Sequence, residues 1–294
     1  MSNLPSDVKK IGTTAADDVK KIIIASPLDI KGGFWRDLGS PVAISNEWSI
    51  DIWSNGTKET LTLDHHADFD FDWDSEFSIS GWVKTADTGW RGWIKKEETG
   101  SGFTGWSVGQ YNGQVMVFLV NAWNTSNSFV AGYTNGFTIH DDNWHHVLIT
   151  FDGSGTLAGT TCYVDGVDKT LTAWAGGTTT ATKSTTTSEP LVIGHMPVNG
   201  YTEAYWDGPL DEISIWDKEL SSTEAADIYN GGTPNNLKGH SAAEDLLGWW
   251  RFGDGPGDSS DSTDSDARIY DQSGNGHNLT GVNTDAGDVQ GDTP

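Results

Sequence analysis

The chain has one cysteine in 294 residues, nine prolines and no run approaching the roughly 20 apolar residues of a membrane-spanning helix. A lone Cys162 excludes a disulfide framework, and its place inside an apolar alternating run reads as a buried thiol rather than a nucleophile. Basic residues are scarce as well. Against 42 acidic side chains stand 17 lysines and arginines, giving a net charge of -25 that repels nucleic-acid phosphates and anionic membranes. Neutral or cationic partners remain, and neither nucleic acid nor membrane is expected among them. Two catalytic signatures are also missing: the phosphate-cradling GxxxxGK[ST] and the zinc-binding HExxH.

What the chain does hold is turn and strand material: 36 glycines, 15 tryptophans and abundant Ser and Thr, with few helix-forming stretches. The stretch from Trp144 to Gly166, WHHVLITFDGSGTLAGTTCYVDG, is the most informative. His145, Val147, Ile149 and Phe151 fall on one face of an extended chain and His146, Leu148 and Thr150 on the other. After a Gly/Ser/Thr turn region, CYV leads into Asp165-Gly166, a strong tight-hairpin signal. EWSIDIW and ETLTLD flank Asn55-Gly56 and predict a second hairpin. FSISGWVK, GWRGWIKK, GWSVGQY, QVMVFLV, FVAGYT, PLVIGHM and LDEISIW add further strands, so the expected fold class is all-β with two packed antiparallel sheets.

Three segments depart from that pattern. Residues 1–33 hold five of the seventeen basic residues and the pentapeptide DVKKI twice, at Asp7 and Asp18. Val8, Ile11, Ala15, Val19 and Ile22 would form one apolar stripe on a helix with no core of its own, so this arm either docks on something or is partly disordered. Asp68, Asp70, Asp72 and Asp74 alternate with Phe69, Phe71 and Trp73, predicting acids outward and rings inward. SSTEAADIYN at 221–230 reads as a short helix with Ser222 as cap.

FSISGWVK, WHHVLITFDGSG with its CYVDG partner, and DGPLDEISIWDKELSSTEAADIYNGG together resemble, in order and spacing, the laminin G-like, concanavalin A-like lectin family from about Asn46 to Gly232. The resemblance implies a two-sheet jelly-roll sandwich. LLGWWRFGDG at 246–255 with YDQSGNGHNLTG at 270–281 resembles the segment that usually opens such a domain and here closes it. One domain over residues 34–294 is therefore expected, with 241–294 supplying closing edge strands. The arrangement of arm, body and closing tail also resembles particle proteins of marine tailed bacteriophages.

Candidate chemistry follows from these readings. Glucanases on this sandwich resemble a Glu-x-Asp-x-x-Glu pattern, but after Glu212 the chain has Ser214 at the middle position and Asp217 one place early. No catalytic residue is expected. The adjacent pairs His65-His66 and His145-His146 would face opposite sides of a strand and are read as structural. Calcium is the candidate cofactor: Asp207 and Asp211 flanking Gly208-Pro209 are its candidate ligands, Asp70 and Asp72 on the acidic alternating run compete with them, and Asp254, Asp258, Asp261 and Asp264 in DGPGDSSDSTDSD are read as a flexible acidic surface. Sugar binding would use exposed aromatic faces. Trp82, Trp144 and Trp216 read as core, whereas Trp90, Trp93, Trp123, Tyr201, Tyr205 and Trp206 lie in turn-rich stretches and are the candidate carbohydrate contacts.

These features lead to the expectation of a non-enzymatic virion protein of a tailed phage, in a structural, decoration or fibre role. It would be made in the host cytoplasm and joined through residues 1–33 to other virion proteins, with further copies of itself as a second partner and weak adhesion to host surface glycans. A cellular or secreted carbohydrate-binding module and a glucanase-like hydrolase are the alternatives.

Overall fold

The computed structural model describes residues 29–31, 34–36, 44–52, 58–100, 102–123, 125, 128–174, 179–198, 204–259, 267–284 and 286–294. Strand alternation decides the architecture. In His145–Asp152 the side chains of Val147, Ile149 and Phe151 enter the inter-sheet core while Leu148 joins a second cluster on the opposite face, as the period of two requires.

Two antiparallel sheets result. Across the eight-stranded sheet the order is Val167–Lys169, Thr160–Val164, His145–Asp152, Glu76–Val83, Gly208–Trp216, Ser49–Ile52 and Val289–Gln290, with Leu246–Trp250 also paired to Gly208–Trp216. Across the ten-stranded sheet it is Leu171–Ala173, Ser128–Thr134, Gln114–Val120, Gly105–Tyr111, Arg91–Glu97, Leu191–Ile193, Thr60–Leu63, Leu279–Val282 and Arg268–Ile269, with Thr179–Ala181 beside Ser128–Thr134. Their inner faces pack into a jelly-roll sandwich. Phe77 stands at its centre, stacked on Phe71 at 4.1 Å and on Phe151 at 4.2 Å between ring centroids. Cys162 is fully buried among these residues, and burial raises its thiol far out of the reactive range.

The outer face of the eight-stranded sheet is covered by the helix Ser222–Tyr229. Its N-cap is Ser221, one residue before the expected Ser222, because Glu224 three positions on completes a capping box with Ser221. Ala225 and Ile228 press onto a cluster containing Leu148, Trp216 and Trp249, and Tyr229 stacks on Trp82 at 5.8 Å. Trp82 and Trp216 are thus buried beneath the helix rather than between the sheets. Trp144 is only half-buried, its indole N–H donating to Asp292 at 3.1 Å.

Several local expectations are corrected. Ser49–Ile52 and Thr60–Leu63 do not form a hairpin, since the first pairs with Gly208–Trp216 and the second with Leu191–Ile193, in different sheets. Long-range partners outweigh the turn signal, and residues 53–57 lie outside those described. The acidic run is not a strand: Ala67–Phe69 is a 3-10 turn, although Phe69 and Phe71 are buried as expected. In the acidic loop, Asp254 accepts the Glu47 and Trp48 N–H groups and Asp258 accepts those of Gly253, Gly255 and Tyr270, so these two carboxylates knit the chain rather than decorate a flexible surface. Asp261 and Asp264, with residues 1–28, 32 and 33 of the arm, lie outside the described residues; 29–31 and 34–36 form a two-stranded ribbon.

The last segment enters both sheets. Leu246–Trp250 pairs with Gly208–Trp216, Leu279–Val282 with Thr60–Leu63, and Val289–Gln290 with Ser49–Ile52. A buried ionic network fastens it: Glu212 Oε1 accepts from Arg251 Nε at 2.8 Å and Glu212 Oε2 from Trp249 Nε1 at 2.5 Å. Arg251 also donates to the carbonyls of Ser45 and Asp254. Removing the guanidinium would leave a buried carboxylate without its counter-charge. Arg251→Met is expected to destabilise the fold by about 3–5 kcal/mol in denaturant unfolding, and adding Glu212→Gln to recover much of that loss; equal losses in the single and double variants would show that the pair is not coupled.

Candidate functional site

The same alternation exposes a different surface on the ten-stranded sheet. Trp106, Val108, Val115, Val117, Leu119 and Val130 point into the sandwich, which leaves Met116, Phe118, Val120, Phe129 and Ala131 on the outer face. No helix covers this cluster among the described residues. Instead, aromatic side chains from the strand ends and loops fold over it in two groups. Trp90 stacks on Tyr111 at 4.5 Å and 17° and meets Trp174 edge-on at 5.3 Å. Trp123 contacts Phe103 at 6.1 Å, Phe118 at 5.8 Å and Phe129 at 5.0 Å. A cavity of about 360 Å³ lies among them, bordered also by Glu97, Pro197 and Val198.

Close backbone approach shapes this cavity. A Cβ on Gly109 would come within 2.3 Å of the Arg91 carbonyl oxygen and 2.7 Å of Met196 Sδ, and one on Gly92 within 2.3 Å of the Met196 nitrogen. These two glycines let the segment carrying Pro197 and Val198 lie against the sheet.

Glu97 is the acid among the described lining residues. Burial pushes its carboxyl up to about 8, against the opposing pulls of a hydrogen bond from Ser107 and the charge of Lys95. Its Oε2 has no hydrogen-bond partner. Lys95 is itself held below the ordinary lysine value by burial and donates to the Glu97 backbone carbonyl at 2.8 Å. Burial thus favours the protonated form of this acid, inside a protein whose net charge is -25.

Of the six aromatic residues expected from sequence, Trp90 and Trp123 line this cavity. Trp93 and Trp206 do not: both are fully buried in the inter-sheet core. The pairing of Arg91–Glu97 shifts register between Gly92 and Ile94, and this irregularity accompanies a Trp93 ring that turns inward to lie against Gly81. Tyr205 is half-buried beside His195, ring centroids 4.4 Å apart, away from the cavity. Tyr201 lies outside the described residues. Glu97, Phe103, Tyr111, Phe118 and Trp174 escaped sequence reading; the outward phase of Tyr111 and Phe118 beside inward Trp106 and Val117 was the available signal.

The candidate calcium pair separates. Asp211 is fully buried, with Oδ2 accepting from Asn46 at 2.9 Å and Oδ1 from the Glu212 N–H at 2.7 Å, so it braces the backbone rather than lining a loop. Asp207 is half-buried at the start of Gly208–Trp216, which is a strand and not a tight turn. A bulge between Asp211 and Ser214 places Glu212 at φ +49 and breaks the expected facing of this strand. Even so, Asp211 and Glu212 are sealed and paired, and no open groove exposes them. The segment Gly105-Trp106-Ser107-Val108-Gly109 has the spacing of a nucleophile elbow, but it runs through a strand with no helix after it, and Ser107 is bonded to Glu97.

Two facing antiparallel sheets, one capped by a helix and the other bearing an aromatic cleft, define a lectin-like β-sandwich. A laminin G-type model of the concanavalin A-like lectin/glucanases superfamily matches residues 40–226, and the chain belongs to that superfamily. No curated protein matches it. Among solved structures, a candidate carbohydrate-binding protein from Bacteroides ovatus aligns with a TM-score of 0.52 at 14% identity, covering 87% of this chain and 61% of that protein. The chain therefore spans about six tenths of that protein's length. A native heptameric SAP-like pentraxin from Limulus polyphemus aligns at 0.44 and 18% identity, over 65% of this chain and 87% of its own. At such identities the likeness is one of fold.

The raised carboxyl of Glu97 has a pH signature. Its folded pKa lies above the ordinary 4.5, so the stability gained from the protonated form is complete below about pH 4.5 and is lost as pH rises to about 8. Glu97→Gln, which mimics the neutral acid, is expected to flatten that loss, giving a melting temperature a few degrees above the parent's near pH 9 and a smaller gap near pH 5. Parallel melting curves across this range would show that Glu97 ionises normally.

Proposed function

We propose that the chain is a non-catalytic carbohydrate-binding module whose site is the aromatic cleft on the outer face of the ten-stranded sheet. The observation that carries this reading is the pairing of two aromatic groups, around Trp90 and Trp123, across one cavity with a single buried acid. Flat aromatic faces suit the apolar sides of pyranose rings, and Glu97 is the polar group buried at the wall of the cavity. The cavity volume falls in the range of small-ligand sites. Hydrolysis would need two carboxyl groups about 5–9.5 Å apart across the bond to be cleaved. Among the described lining residues Glu97 stands alone, which supports binding over cleavage. The assignment of the Bacteroides ovatus protein to carbohydrate binding agrees with this reading.

The proposal extends to display. Residues 1–33, with their repeated DVKKI, would tether the module to a larger particle, a tailed-phage virion in the reading that the order of arm, body and closing tail supports. Deleting 1–33 is expected to abolish incorporation into that particle while glycan binding by the free module persists; incorporation without the arm would overturn the tether.

A glycan array followed by calorimetry tests the site. Trp90→Ala and Trp174→Ala are expected to weaken binding of any array hit at least about tenfold, or ~1.4 kcal/mol, measured well below the melting temperature of each variant, which falls with the lost cover of the sheet. An array without hits, or affinities unchanged in both variants, would remove the cleft from consideration.

A further inference from the structure

Outside the cleft lining, the 3-10 turn Ala67–Phe69 meets the last segment of the chain. His66, Asp68 and His277 each bring one ligating atom within 4.8 Å of the others, the one such cluster among the described residues. His277 is buried and held on two sides. Phe69 packs against its ring at 4.8 Å, and Nδ1 lies 2.9 Å from the Leu247 carbonyl oxygen. A carbonyl oxygen only accepts, so Nδ1 carries the hydrogen and Nε2 of the neutral ring presents its lone pair. That nitrogen stands 3.2 Å from Asp68 Oδ2.

His66 completes the set. Its ring lies 4.5 Å from that of His277, and its Nδ1 is 3.5 Å from Asp68 Oδ1. The one hydrogen bond recorded at that nitrogen, from the Asp68 N–H, is long at 3.3 Å, and the side chain is exposed, so a small rotation frees it. Its neighbour His65 is turned away onto Asp70 at 3.0 Å.

We propose that His66, Asp68 and His277 form a binding site for a divalent transition-metal ion of the zinc class. Two imidazole nitrogens and one carboxylate oxygen match zinc preferences, whereas calcium and magnesium prefer oxygen ligands throughout. Bonds of about 2.0–2.1 Å in a tetrahedron set ligand atoms ~3.4 Å apart, close to the existing Asp68–His277 separation, so His66 makes the main adjustment. Water fills the fourth position on the exposed side. The hydrogen bond from His277 Nδ1 to a backbone carbonyl is the outer-shell contact that orients a metal-binding histidine. Bound there, the ion ties the segment before Leu279–Val282 to the turn after Thr60–Leu63.

The full chain, stripped with a chelator, is titrated with zinc chloride by calorimetry and with cobalt(II) by visible absorbance, and its melting temperature is read with and without zinc. Expected results are one saturable equivalent of zinc, the spectrum of nitrogen- and oxygen-ligated cobalt, and a melting temperature that rises with zinc. His66→Ala and Asp68→Asn, both at exposed positions, are expected to weaken zinc binding at least about tenfold and to remove the zinc-dependent rise, whatever their metal-free melting temperatures. Absence of saturable one-to-one binding would leave a histidine–aspartate ion pair and overturn the proposal. So would full affinity in both variants, which would place the ion elsewhere.

Discussion

Burial on both faces of the central strands is the constraint from which the molecule is built. Gln114–Val120 sends Val115, Val117 and Leu119 into the sandwich and Met116, Phe118 and Val120 to the other side, with every side chain after Gln114 buried. Such a strand needs apolar cover above as well as below. The eight-stranded sheet receives it from the helix Ser222–Tyr229 and the segment running to Trp249. The ten-stranded sheet receives it from aromatic side chains, some stacked and some edge-on, that leave space between them.

That difference gives the two faces different capacities. On the eight-stranded sheet the buried carboxylates have partners: Glu212 with Arg251 and Trp249, and Asp211 with Asn46. In the cleft, Glu97 keeps an oxygen without a partner and takes up a proton instead, because its surroundings withhold water without supplying a full counter-charge. The first arrangement locks the closing segment of the chain to the body. The second leaves a polar group with capacity to spare at the side of an apolar cavity.

Much of the scaffold was legible because it depends on local periodicity. Alternation in 145–151 and the Asp165-Gly166 turn both stand as read, the latter with φ of +54 and +72. The buried thiol of Cys162 followed from the same pattern. Features set by register were hidden. Nothing in the sequence marked the irregularity at Gly92 that accompanies the inward Trp93, or the bulge at Glu212, and the Asn55-Gly56 signal suggested a hairpin that distant strands override. The cleft was half visible: Trp90 and Trp123 could be named from loop composition, but Trp174 and Glu97 gain their place only when strands remote in sequence lie side by side. His277 meets His66 for the same reason, through pairing of the closing segment with Thr60–Leu63.

The most direct test of the account is to follow the tryptophan indole N–H resonances of the full chain while a bound glycan is titrated. Cleft binding predicts that the signals of Trp90, Trp123 and Trp174 move together and saturate, while those of Trp82, Trp216 and Trp250, beneath the helix and within the core, hold still. Saturable shifts confined to the second group, or binding that leaves the cleft signals unmoved, would contradict it.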